Sequence, residues 1–257
     1  MIAGLIGALF GKKDAATGGY ARLNVPSWPA ALYAIGDVHG CLNLLKATES
    51  LILDDARGMN GEAMIVCVGD LVDRGPDSRG VIDHLMSPMP AGFRRLAVMG
   101  NHEAMMLEFL DTPDLQHPWL RFGGIETLAS YGLYDLSPRK ATLAAQLSIH
   151  VPEEHVAYLR SLPVMIKLPG LCLVHAGMRS GIDPERQTDR DLLWIRSPEG
   201  YVNPKGGDWF VVHGHTPVKQ PKVSNCAMNI DTGAYDSGIL TCVKFGSKND
   251  YKFLSDI

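Results

Sequence analysis

The 257-residue chain contains no run of about 20 apolar residues, the length a bilayer-spanning helix needs. It has no Cys-x-x-Cys pair, and its five cysteines (Cys41, Cys67, Cys172, Cys226 and Cys242) are odd in number. That pattern supports neither a disulfide framework nor a zinc knuckle. Cys67 and Cys172 sit inside apolar runs, as small core residues do, and a reducing cytoplasm is the simplest compartment for such a chain. There is no excess of charge of either sign: the formal net charge is -4. General attraction to nucleic acid or to an anionic membrane is therefore not expected, and an anionic substrate would need local positive charge. No period of 20 to 50 residues repeats, which argues against a solenoid.

The composition is otherwise that of a soluble globular protein, 46% hydrophobic and 20% charged. The length suits one large domain. Met1 to Phe10 is apolar and Gly-rich and runs into Gly11-Lys12-Lys13. It is too short to span a bilayer and lacks the basic opening of a secretory signal. It reads as a frayed or locally packed tail, with a peripheral membrane contact as the alternative and no stable insertion. Gly7 and Gly11 have the wrong spacing for a phosphate-binding loop, and Lys13 stands where Ser or Thr should follow the lysine. The organisation expected is an N-terminal extension, 1–30, and one domain, 31–257.

From Ala31 onward a pattern recurs: a short apolar run ends in glycine and a polar, metal-ligand type of residue. Ala31–Ile35 leads into Gly36-Asp37-Val38-His39-Gly40, and Ala63–Val68 into Gly69-Asp70-Leu71-Val72-Asp73-Arg74-Gly75. Arg95–Met99 leads into Gly100-Asn101-His102-Glu103, Leu171–Val174 into His175-Ala176-Gly177, and Trp209–Val212 into His213-Gly214-His215-Thr216. Continuous apolar runs of this length suit strands buried on both faces. Helical spacing over Leu42–Leu53 and Ser78–Met86 separates the first three, which predicts parallel strands with covered faces. Ligands in such sheets gather beyond the carboxyl ends of the strands, where all five clusters fall. Asn229–Asp231 and Ile239–Phe245 are expected to complete a second sheet. Residues 104–163 read as a mostly helical insertion bordering the site.

One Gly-Asp after a strand is ordinary turn chemistry. Five clusters supplying Asp, His, Asp, Asn, His and His together point to a metal site. Carboxylate, imidazole and amide ligands suit manganese, iron or zinc. Two ions about 3.5–4 Å apart need a shared carboxylate and lower the pKa of a bridging water. A phosphate also needs planar, bidentate cations, for which arginine is the fitting residue.

The ordered set of these clusters resembles the calcineurin-like metallophosphoesterase superfamily, and Val72-Asp73-Arg74-Gly75 with Gly100-Asn101-His102-Glu103 resembles its phosphoprotein-phosphatase branch. That branch includes bacterial and phage serine/threonine phosphatases and symmetrical diadenosine tetraphosphatases. The resemblance spans about Leu32 to Lys244. It implies an α/β fold, a four-layer α/β/β/α sandwich of two mixed sheets with a dinuclear metal site at the strand ends. It implies two divalent ions, manganese first and iron or zinc as alternatives, and direct attack of a metal-bridging hydroxide on the phosphate. Asp37 and His39 would bind one ion, Asn101, His175 and His215 the other, and Asp70 both. Asn101 would also face the phosphate. His102 would be the general acid, oriented by Asp73, and Arg74 and Arg196 would bind the phosphate. Strand geometry alone does not choose between His213 and His215, which share a face; the family pattern selects His215 and leaves His213 behind it or on the substrate side. Glu103 is read as a carboxylate at a helix N-terminus, not a ligand.

Two substrate classes follow from the resemblance: a phosphorylated protein or peptide, making the chain a serine/threonine phosphatase, or the alternative, diadenosine tetraphosphate cut symmetrically. The segments separating them lie in 104–163 and 180–207, where Trp119, Phe122 or Tyr131 would be able to stack a base. A catalytically silent scaffold would have lost a ligand or the acid, and none is missing.

Overall fold

The computed structural model describes residues 19–196 and 209–254, so the Met1–Phe10 stretch, Lys12, Lys13 and part of the 180–207 segment lie outside the described residues. Two mixed sheets form the body. In the first, β2 (Ala31–Ile35), β3 (Ala63–Cys67) and β4 (Phe93–Ala97) run parallel. They are joined through α1 (Leu42–Asp55) and α2 (Ser78–Met86), as the helical spacing predicts. In the second, β1 (Arg22–Asn24), β5 (Met165–Leu168), β6 (Leu171–Val174), β7 (Phe210–His213) and β9 (Ala227–Asn229) lie side by side in that order, with β8 (Lys222–Val223) at the edge.

The reason the strands read as continuous apolar runs is visible in their two faces. Leu32, Ala34, Met64 and Val66 share a core with Ile166, Leu168, Leu171, Leu173, Phe210 and Val212 of the other sheet. Ala31, Tyr33, Ile35, Ile65 and Cys67 point the other way, into a core that includes Leu45, Ile52, Val81 and Ile82 of α1 and α2. Alternate residues therefore serve a sheet–sheet interior and a sheet–helix interior. Each Leu, Ile, Val, Met or Phe among them contributes about 1.5–3 kcal/mol on burial. The layers are those of the expected sandwich.

One expectation is corrected. The segment 239–245 does not finish the second sheet. β10 (Cys242–Ser247) pairs antiparallel with β2 in the first sheet, and β11 (Asp250–Phe253) pairs with β10 outside it. β1, β5 and β8 are further strands that the apolar pattern does not announce.

Between β4 and β5 the chain is mostly helical. It comprises α3 (Asn101–Asp111), a 3-10 turn at Pro118–Arg121, α4 (Gly124–Ser130), α5 (Lys140–His150) and α6 (Glu153–Ser161). Two short helices follow later, α7 (Asp189–Trp194) and α8 (Ala234–Ser237). Among the described residues no helix is long and apolar enough to cross a membrane.

Candidate active site

The strand ends bring Asp37, His39, Asp70, Asn101, His102, His175 and His215 into one buried cluster. Asp70 stands at its centre. Its Oδ2 faces His39 Nε2 at 3.5 Å and His102 Nε2 at 3.8 Å, and its Oδ1 faces His175 Nε2 at 3.2 Å. Beyond His175, Asn101 Oδ1 lies 2.8 Å from both His175 Nε2 and His215 Nδ1. One carboxylate thus presents one oxygen to each of two donor groups.

The ring orientations are set from behind. His39 Nδ1 lies 2.8 Å from the Val72 carbonyl and His175 Nδ1 lies 3.0 Å from that of Val68. Each bond places a proton on Nδ1 and turns Nε2 toward Asp70, the orientation a metal-binding imidazole needs.

The backbone here is unusual. Five non-glycine residues among those described have positive φ, and all belong to this cluster or border it: His39 (43°), Asp70 (47°), Asp73 (75°), Arg74 (67°) and His215 (70°). Such conformations cost of order 1–3 kcal/mol each and persist only where surrounding structure holds them. Glycine permits the close approach. A Cβ on Gly214 would collide with Asp37 Oδ1, and one on Gly100 would collide with Asp70 Oδ1 and its backbone nitrogen.

The donor set fits divalent cations. Asp37 Oδ2 accepts the His215 N–H at 3.0 Å, while its Oδ1 is buried without a hydrogen bond. Burial pushes the Asp37 carboxyl well above the usual range, and the charges of Asp231 and Asp70 push it further. Burial, with the Asp70 charge, pushes Asp231 up to about 6 even though its carboxylate accepts the Gly233 N–H. Buried carboxylates that repel one another, one with an orphaned oxygen, need a compensating cation.

His102, Asp73 and Arg74 form the adjoining group. His102 Nδ1 lies 2.6 Å from Asp73 Oδ2, and Arg74 Nη2 donates to His102 Nε2 at 3.1 Å. The Trp119 indole N–H donates to the same Asp73 oxygen at 2.7 Å, and the Thr127 hydroxyl donates to Asp73 Oδ1 at 2.6 Å. Burial would lower the His102 pKa, but the Asp70 charge and the Asp73 bond and charge outweigh it, and the pKa is raised. Arg196 is exposed, and its Nε–H donates to His215 Nε2 at 3.1 Å.

The remaining candidates are placed as follows. His213 is buried, bonds through Nδ1 to the Gly214 carbonyl at 3.0 Å, is outside both metal-compatible groups, and is pushed down to about 3 by burial. Trp119 is fully buried on Asp73, and Tyr131 is buried with its hydroxyl 2.9 Å from His155 Nδ1, so neither is free to stack a base. Phe122 is exposed. Glu103 is more than a helix-end charge. It accepts the Leu71, Val72 and Gly100 N–H groups at 2.7, 3.1 and 2.8 Å, tying the Asp70 loop to α3. Glu103→Ala leaves three buried donors unsatisfied and is expected to lower stability by about 3–5 kcal/mol, read as a fall in thermal midpoint.

Asp231 and Tyr235 were not among the sequence candidates. A signal for Asp231 was present, because Ala227-Met228-Asn229-Ile230, apolar but for Asn229, ends in an aspartate close to a glycine. Tyr235 gave none.

The sequence profile of the calcineurin-like phosphoesterase family matches residues 31–244, and the chain belongs to that family. It is a hydrolase acting on phosphate esters, of a family that uses divalent metal ions. A protein of Halalkalibacterium halodurans named asymmetrical bis(5'-nucleosyl)-tetraphosphatase PrpE is 29% identical over 230 residues, 82% of this chain and 88% of that one. A crystal structure provisionally named a diadenosine tetraphosphatase superposes with TM-score 0.64 at 20% identity, covering 93% of this chain and 99% of that one. A Saccharomyces cerevisiae serine/threonine phosphatase superposes with TM-score 0.52 at 16% identity, covering 92% and 83%. These two likenesses concern the fold.

Proposed function

We propose that the chain is a two-metal hydrolase of dinucleoside polyphosphates, with Asp37 and His39 holding one ion, Asn101, His175 and His215 the other, and Asp70 both. The observation that carries the chemistry is the Asp70 carboxylate, with one oxygen toward each donor group. When bound, two divalent ions, manganese foremost, supply Lewis acidity for both the attacking and the leaving oxygen. The relatives named as tetraphosphatases favour a nucleotide substrate over the phosphoprotein reading, and they favour asymmetrical over symmetrical cleavage.

The chain's own residues supply the rest. Arg74 and Arg196 bind the phosphate, and Asn101 lies beside it. Arg74 donates to His102 Nε2, so that nitrogen acts as an acceptor. A phosphate that takes the guanidinium frees His102 Nε2 to carry a proton, while Asp73 holds the ring by Nδ1. His102 then protonates the departing phosphate oxygen.

The sign of one pH effect follows. A general acid works only while protonated, so turnover falls as pH rises through the His102 pKa. The Asp73 anion raises that pKa. Asp73→Asn is expected to move the alkaline limb of the kcat profile to lower pH and to reduce kcat about 10²-fold. A limb that stays in place would separate it from His102.

The substrate reading is tested with Mn²⁺-loaded protein on diadenosine tetraphosphate and on a phosphoserine peptide. The expected result is faster hydrolysis of the dinucleotide, to AMP and ATP, abolished by EDTA. Preference for the peptide would return the chain to the protein phosphatases, and two ADP products would make the cleavage symmetrical.

A further inference from the structure

One aromatic side chain stands open beside an otherwise buried site: Tyr235, 43% exposed. The Tyr235 ring centroid lies 4.9 Å from Arg74 Cζ and 5.4 Å from the His39 ring, at 87° to it. Its loop is fixed to the site. Asp231 Oδ1 accepts the Gly233 N–H at 2.9 Å, Thr232 Oγ1 donates to the Ile239 carbonyl at 2.8 Å, and Gly233 and Gly238 bracket α8 with φ of 65° and 72°.

The insertion comes to the same arginine at Gly123, whose φ is +111°. A Cβ there would collide with the Arg74 backbone nitrogen and lie 3.0 Å from Arg74 Cγ, so only glycine lets the chain come this close. An exposed aromatic ring next to a phosphate-binding cation matches the needs of a nucleotide: the ring receives a base, and the arginine receives its phosphate.

We propose that Tyr235 is a base-stacking platform that seats a nucleotide's base next to Arg74. This rests on the dinucleoside polyphosphate reading and deepens it. One ribose separates a base from its α-phosphate. A base on Tyr235 therefore delivers the phosphate nearest its own nucleoside to Arg74 and not one further along the chain. The platform selects asymmetrical cleavage.

The test compares inhibition of p-nitrophenyl phosphate hydrolysis by AMP and by ribose 5-phosphate, which differ in the base alone. Each ratio is taken within one variant, so a general loss through Arg74 cancels. Wild type is expected to bind AMP about 10-fold or more tightly than ribose 5-phosphate. Tyr235→Ala and Tyr235→Leu, which keeps bulk without a π face, should bring the ratio within about twofold of one, and Tyr235→Phe should keep it. A wild-type ratio near one, or a ratio unchanged in both Tyr235→Ala and Tyr235→Leu, overturns the platform. AMP selectivity in a protein that does not hydrolyse diadenosine tetraphosphate supports the platform and sinks the substrate reading. Hydrolysis to two ADP overturns the platform's choice of phosphate and leaves the substrate class standing.

Discussion

Asp70→Asn is expected to strip the site of tightly held metal and to reduce turnover roughly 10³-fold or more, the loss of several kcal/mol of charge stabilisation. Among the described residues Asp70 is the one side chain that belongs to both metal-compatible groups, with its oxygens 3.5 Å from His39 Nε2 and 3.2 Å from His175 Nε2. Burial would raise its pKa, but the imidazoles around it, His175 first and then His102 and His39, more than reverse that, and the carboxyl sits well below its usual range. It is therefore an anion, poised for cations. Asparagine keeps one oxygen, so one group retains an acceptor while the other meets an amide N–H that cannot coordinate. Metal analysis after dialysis checks this directly. Retention of two ions per chain would remove Asp70 from the bridging position.

His102→Asn is expected to behave differently: a fall in kcat of about 10²–10⁴-fold with metal content unchanged. His102 Nδ1 is held by Asp73 at 2.6 Å, and its Nε2 lies 3.8 Å from Asp70 Oδ2, further than either histidine on which the cluster is built. The ring also belongs to one of the two metal-compatible groups, with His39 and Asp70. The variant separates the two roles. An acid leaves metal content untouched when removed, and the loss is larger for poor leaving groups, which need the proton, than for p-nitrophenol, which does not. A fall in metal content, or an equal loss on all leaving groups, would make His102 a ligand.

Much of this was legible in the sequence because of geometry that the sheet imposes. Ala31–Ile35 and Ala63–Cys67 are apolar at every position since one set of side chains meets the opposite sheet and the other meets α1 and α2. Parallel strands end on one side, so the residues after them converge without any knowledge of the loops. The sheet to which 239–245 belongs was not legible. An apolar strand has the same pattern whichever neighbour it finds, and β10 finds β2, about 200 residues earlier, with Cys242 opposite Ile35. The site divides in the same way. Asp37, Asp70, Asn101 and His175 follow strands and declare themselves. Trp119 and Thr127 reach Asp73 across 46 and 54 residues, and no local spacing encodes that. Nor does spacing reveal the positive φ of His39, Asp70, Asp73, Arg74 and His215. Tyr235 looks like any tyrosine in a short turn until the fold sets it over Arg74.

The most direct test of the two-metal site is a count of ions against activity. Metal-free protein is titrated with Mn²⁺ while bound metal and phosphoesterase turnover are followed together. Two ions per chain, with turnover rising only as the second is taken up and lost again on chelation, is the expected result. Full turnover with one ion, or turnover that survives complete removal of metal, would contradict it.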